Sequence, residues 1–282
     1  QLVEGKPIIK NLENGNIGVV WQEYNSNWDS KEIYFQAFDQ SNNAISSPIL
    51  INTLRTKDQI NPNISTFRDN KIIVIAWASE NLLGTKDVYF QLLDENYQKS
   101  GANKLLEEEV QNSDVAMTAL SDNSILIGYH KNNGLWAKKI TPSNTDNIQS
   151  SLPIQLNDPN ASHTNGMIQG GHDGTPGNVP NKPNLNLESF PSDGFIATWS
   201  DRDTVEPTSR GWADTNVFFA IHDNEGNAID VSTNEKTWNL KNKEVRINLF
   251  TDDNQDFPNS YAISDELFVV VWQSRKGNNI YG

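Results

Sequence analysis

The chain has 282 residues, 36% of them hydrophobic, with 8 Trp, 7 Tyr and 11 Phe, enough for two domains or one large β architecture with an aromatic core. Its 22 basic and 36 acidic side chains give a formal charge of −14, which argues against nucleic-acid binding and against an anionic membrane surface. With 0 Cys, disulfides, thiolate metal sites and Cys nucleophiles are excluded, and no apolar run approaches the ~18 residues of a membrane helix, so no membrane insertion is expected.

In chain order, the first predicted element is Gln1-Leu2-Val3, a candidate outer strand for the last repeat. Ile17–Gln22 is an apolar run ending on Trp21, Ile33–Asp39 alternates as a strand, and Pro48–Ile51 is a short strand closing the unit. The same order returns with Ile73–Trp77, then Val88–Asp94. Lys104 to Gln111 holds helix formers but sits where a fourth strand is due. Ile125–Tyr129 and Leu135–Ile140 follow, then Phe195–Trp199 and Val217–Asp223, a turn at Asp223–Asn227, and Glu244–Ile247. The last copy is Val269–Gln273 with Ile280-Tyr281. The aromatic anchors at 21, 77, 129, 199 and 272 recur about every 50–75 residues.

Ile51-Asn52 with Gln59 and Pro62 matches Ile247-Asn248 with Gln255 and Pro258 at identical spacing. Alternating β-branched and aromatic residues, with Asn, Asp and Gly at the turns, read as four short antiparallel strands per repeat. The expected fold is therefore all-β, a β-propeller of four-stranded antiparallel blades, about five in number or part of a larger propeller. A single propeller domain would span 1–282, with repeats near 1–52, 53–106, 107–157, 183–248 and 249–282. The anchors are expected to pack between blades.

Two insertions break the repeat, at 157–182 and 200–216. In an up-and-down blade both connections emerge on one face, where loops on a rigid scaffold carry function. The second holds Asp201, Asp203, Glu206, Arg210, Trp212 and Asp214. Trp212, Arg210 and Asp203 are candidate ligand-binding residues, Trp212 suiting either a sugar ring or packing of the loop. Asp201, Asp203 and Asp214 suit Ca²⁺ through oxygen, or are solvated acids. His163, His172 and Asp173 in the first insertion are too widely spaced for an ordinary zinc site. His130 and His222 fall near strand ends and read as structural.

The pattern resembles the repeats of secreted or cell-surface, adhesin-like bacterial β-propeller proteins. The matches are Ile51, Asn52, Gln59, Pro62, Trp77, Ser79, Tyr89, Gln91 and Asp94, with Val270 to Ser274 in the last copy and Trp21, Gln22, Tyr34, Gln36, Phe38 and Asp39 in the first. The third copy departs, with Tyr129 for Trp and Lys138 for Gln. The resemblance implies a secreted or cell-surface setting and assembly with other domains of a larger protein, and it carries over no catalytic residue. With no Gly-x-Ser-x-Gly elbow or phosphate loop in the sequence, the leading expectation is a non-enzymatic module for adhesion, assembly or recognition of a glycan or protein ligand at the loop face. The alternatives are a glycoside hydrolase on the same scaffold and a structural subunit of an extracellular filament.

Overall fold

The computed structural model describes residues 7–12, 14–55, 57–68, 71–111, 113–132, 134–142, 148–157, 185–202, 215–231, 244–249, 255–274 and 279–281. Among them there is no helix, and five antiparallel sheets follow one another along the chain. Sheet one runs β1 (Ile8–Asn11), β2 (Ile17–Asn25), β3 (Ser30–Phe38) and β4 (Ile49–Leu50). Sheet two runs β5 (Gln59–Thr66), β6 (Ile73–Glu80), β7 (Lys86–Leu93) and β8 (Lys99–Val110). The helix formers of Lys104 to Gln111 thus belong almost wholly to a strand, because pairing with β7 overrides local propensity.

Sheet three holds β9 (Ala116–Ala119), β10 (Ile125–Lys131), β11 (Gly134–Pro142), β12 (Ile148–Ser150) and β13 (Ile154–Gln155), the last two both pairing with β11. Sheet four holds β14 (Asn186–Ser189), β15 (Phe195–Arg202), β16 (Thr215–His222), β17 (Ala228–Ile229) and β18 (Val245–Arg246), the last two both pairing with β16. Sheet five is β19 (Gln255–Ala262), β20 (Phe268–Ser274) and β21 (Asn279–Tyr281). Two compact units result: Gln1–Ala119, Asn123–Tyr129 and Lys138–Leu152 in one, and Leu120–Asp122, His130–Ala137 and Pro153–Gly282 in the other.

In the first unit, Ile73, Ile75 and Trp77 of β6 bury against Val20, Ile33 and Phe35 of sheet one. In the second, Val270, Phe268 and Trp272 of β20 meet Ile196 and Val217 of sheet four and Phe190 just after β14. Each core forms where the alternation of one sheet presents its apolar side to the next. The anchors are not equivalent, however: Trp77, Tyr129 and Trp199 are 1% exposed, while Trp21 and Trp272 are half-buried.

The repeated polar residues turn out to be the joints of these sheets. Asn52 Oδ1 accepts the Ile33 N–H, Asn157 Oδ1 the Leu135 N–H and Asn248 Oδ1 the Val217 N–H, each at 2.8 Å. In sheets one, three and four an Asn thus ties the connection that follows the fourth strand to the third strand. The Trp77 indole donates to Gln59 Oε1 at 2.8 Å and the Trp272 indole to Gln255 Oε1 at 3.1 Å, so these two anchors satisfy their N–H. Asp39 Oδ1 accepts the N–H groups of Ser41 and Asn43, and Asp94 Oδ1 those of Asn96 and Gln98, closing the turn after each third strand. The Asn43 side chain, and then its N–H, hold the Asp39 carboxyl below its ordinary range. At Gly194 (φ 82°) a Cβ would lie 2.3 Å from the His222 carbonyl oxygen, so only glycine fits that turn.

The two departures in the third copy explain each other. Lys138 Nζ lies 2.9 Å from Glu107 Oε2 and donates to the Leu106 carbonyl at 2.8 Å. The Tyr129 hydroxyl donates to the same Glu107 oxygen at 3.1 Å. Burial first, then the Glu107 charge, raises the Tyr129 phenol far above its ordinary value, which keeps it a donor. A Trp and a Gln at these positions would leave the Glu107 carboxylate without its cation.

Candidate functional site

With the repeat residues assigned to architecture, the informative positions are those where one copy breaks the pattern. The clearest break lies in β19. Sheets two and five share a bulge in their first strand: the register passes from Ile60–Ala78 to Asn63–Ala76 in one and from Asp256–Gln273 to Asn259–Val271 in the other. The bulged segments are Gln59-Ile60-Asn61-Pro62 and Gln255-Asp256-Phe257-Pro258. A carboxylate, Asp256, therefore stands where its counterpart is Ile60. It is 5% exposed, and the Thr215 hydroxyl donates to its Oδ1 at 2.7 Å.

Thr215 opens β16, where the chain returns from the second insertion. Asn186 opens β14, four positions after the first insertion ends at 182. Its Oδ1 accepts from the Ser260 N–H at 3.0 Å and the Ser260 hydroxyl at 2.6 Å. Both insertions thus return to the second unit against β19, the strand carrying Asp256. Bulges are used to re-aim side chains beside active sites, and Phe257, at the bulge, is 44% exposed.

The same unit holds buried polar atoms without hydrogen-bond partners: Trp199 Nε1, Thr198 Oγ1, His130 Nε2 and Asn157 Nδ2. At the Asn position the equivalent amides of sheets one and four are satisfied. The Asn52 amide donates to Glu32 and to the Leu54 carbonyl, and the Asn248 amide donates to Asn216 at 2.6 Å. At Asn157 the matching position is Gly134, which has no side chain to accept. Trp199 and Asn157 stand at the roots of the two insertions. Unpartnered buried polar atoms are rare in native folds. Burial alone lowers the His130 imidazole from 6.5 to about 3, so it stays neutral. His222 is structural, its Nδ1 and Nε2 lying 3.2 and 3.3 Å from the Gly226 and Leu156 carbonyls.

Of the residues singled out in the sequence, Asp203, Arg210, Trp212, Asp214, His163, His172 and Asp173 lie outside the described residues. Asp201 is in β15, paired with Asn216. Among the described residues no group of three or more His, Asp or Glu side chains gathers to hold a metal ion, and no helix is long and apolar enough to cross a membrane. Sequence reasoning missed Asp256. Aligning the two Gln-x-x-Pro segments would have exposed it as an acid in an apolar slot. The buried pair Glu23 and Glu32, opposite one another on β2 and β3, also went unnoticed. Glu32 accepts from the Ser30 hydroxyl and the Asn52 amide, and Glu23 from the Trp21 indole, so both are accounted for by structure.

No protein-family model matches the chain, and no curated protein sequence does. Solved structures do match. The GH93 α-L-arabinofuranosidase of Fusarium graminearum, in complex with arabinobiose, aligns over 94% of this chain and 87% of its own at 8% identity, with a TM-score of 0.51. A mutant α-L-arabinofuranosidase of the same organism, with an iminosugar inhibitor, aligns over 96% and 89% at 8% identity, with a TM-score of 0.52. The chain is thus a β-propeller of about five blades, built of antiparallel sheets as expected. The likeness supports the propeller but not the adhesin-like repeat family. It also corrects the functional expectation: these matching structures are enzymes, so the expected non-enzymatic adhesion or recognition module is set aside. The repeat signature, on which the expectation leaned, consists of structural joints in this chain, and such joints carry no information on activity.

Proposed function

We propose that the chain is a glycoside hydrolase acting on glycans that carry arabinofuranosyl units, with Asp256 as one of its working carboxyl groups. The observation that carries this reading is the likeness of fold, over nearly the whole chain, to an α-L-arabinofuranosidase in complex with arabinobiose. Within the chain it is supported by Asp256, a buried carboxylate where the bulge of sheet two carries Ile60, oriented by Thr215 at 2.7 Å. Glycoside hydrolysis uses two carboxyl groups, one protonating the leaving oxygen and the other activating water or attacking the sugar. A carboxyl held by a hydroxyl in a nearly dry setting has the fixed orientation such proton transfer needs. A charge of −14 suits a neutral glycan better than a polyanionic one. A secreted setting belongs to the same proposal, since polymeric glycans are met outside the cell.

The test is hydrolysis of aryl α-L-arabinofuranosides and arabino-oligosaccharides by the purified chain. Asp256→Asn, nearly isosteric, should lower kcat by about 10²-fold or more, the scale of a lost acid–base group, with Tm little changed. A wild-type chain inert on every furanosyl and pyranosyl glycoside offered would overturn the activity. An Asp256→Asn variant with full kcat would remove Asp256 from it.

A further inference from the structure

We infer that Thr215 is a positioning residue that holds Asp256 as an ionised carboxylate, so that Asp256 supplies an electron pair in hydrolysis and is not the group that gives up a proton; this rests on the reading of the chain as a glycoside hydrolase. The observation behind it is a joint of sheet one that recurs, rebuilt, between sheets four and five. Asn52 meets the N–H of Ile33 and Asn248 that of Val217. Lys31 and Thr215 therefore hold the same place, two residues earlier on the third strand. Each meets an Asp at the start of the next sheet. Asp58 stands just before Gln59. Its Oδ1 accepts the Lys31 N–H at 2.9 Å and its Oδ2 lies 3.7 Å from Lys31 Nζ, with the two side chains 33% and 30% exposed. Asp256 instead stands just after Gln255, on the bulge, and the Thr215 hydroxyl donates to its Oδ1 at 2.7 Å.

A partly exposed tether made by a backbone N–H has thus become a buried contact made by two side chains, Thr215 and Asp256 being 4% and 5% exposed. Taking a carboxylate out of water is costly, and bulges re-aim side chains beside active sites. The donor is itself held in place. Asn248 Oδ1 accepts the Val217 N–H and its amide donates to Asn216 Oδ1 at 2.6 Å, which fixes the start of β16 on which Thr215 stands. A β-branched side chain has few χ1 choices, so the fixed backbone sets the direction of the hydroxyl. A hydrogen bond donated to a carboxyl group favours its ionised form, whereas a general acid must carry its proton before the reaction begins. Asp256 therefore acts through a lone pair. It takes a proton from the attacking water as that water's oxygen bonds to the anomeric carbon, or it bonds to the anomeric carbon itself. The bond from that carbon to the leaving oxygen breaks, and the leaving oxygen takes the proton of a second carboxyl group.

The experiment measures kcat and KM on dinitrophenyl and phenyl α-L-arabinofuranosides, a good and a poor leaving group, with Tm recorded for every variant. Asp256→Asn should lose about 10²-fold in kcat/KM on both substrates, because a better leaving group replaces an acid but not an electron-pair donor. Thr215→Val, which keeps the shape without the hydroxyl, should lower kcat about 10–100-fold through misplacement of the carboxylate, with KM within about twofold. Thr215→Ser should recover most of that loss. Thr215→Val added to Asp256→Asn should cost nothing further, since its effect runs through the carboxylate. An Asp256→Asn loss confined to the phenyl glycoside would make Asp256 the acid and overturn the assignment while leaving the activity standing. Wild-type kcat in Thr215→Val, no recovery in Thr215→Ser, or the full Thr215→Val loss repeated on top of Asp256→Asn would overturn the positioning role. A wild type inert on every glycoside overturns the reading of the chain as a hydrolase, and this inference with it.

Discussion

His130 sits in β10 with 7% of its surface exposed and its Nε2 without a partner. Burial lowers its pKa from 6.5 to about 3. In the unfolded chain the imidazole takes up a proton near pH 6.5, while in the folded chain it does not until near pH 3. The unfolded state therefore binds more protons between these values, and stability must fall as pH drops through that window. At pH 4.5 the gap of about two units amounts to about 2.7 kcal/mol against folding, at 1.36 kcal/mol per unit. Above pH 7 the contribution vanishes. Denaturant unfolding of wild type and His130→Gln across pH 4–8 checks this, Gln being what the first repeat carries after its anchor at Gln22. Carboxylate titration is shared by both proteins and cancels in the difference. The variant should gain on the wild type by about 2–3 kcal/mol between pH 7 and pH 4.5. Parallel curves would show that the imidazole is protonated in the fold and would refute the reasoning.

Two further perturbations probe the joints. Trp77→Ala should cost about 3–5 kcal/mol by cavity formation in the first core, and Trp272→Ala less, because Trp272 is half-buried; thermal melts with equal losses would contradict the burial difference. Lys138→Ala should cost about 3 kcal/mol by stranding the Glu107 carboxylate. Adding Glu107→Gln should recover much of that loss, and a double mutant no better than the single would show that the pair is not coupled.

The sequence alone determined the sheets, because their information is local. Alternating apolar runs fix which face is buried, and Asn, Asp and Gly fix the turns, so strands such as Ile73–Glu80 and their hairpin partners could be read in order. The Gln–Trp and Asn joints were also legible as repeats, although their purpose was not, since the Asn52 amide meets Ile33 only after the chain has turned back. Tertiary structure alone decided the meaning of the exceptions. Lys138 and Tyr129 looked like decay of the motif until both were seen to meet Glu107 from another sheet. Asp256 was one acid among 36 Asp and Glu, set apart in the sequence only by facing Ile60 when the two Gln-x-x-Pro segments are aligned. Its burial and its hydroxyl partner, Thr215, come from a strand about 40 residues earlier, and proximity across that separation is set by packing rather than by pattern.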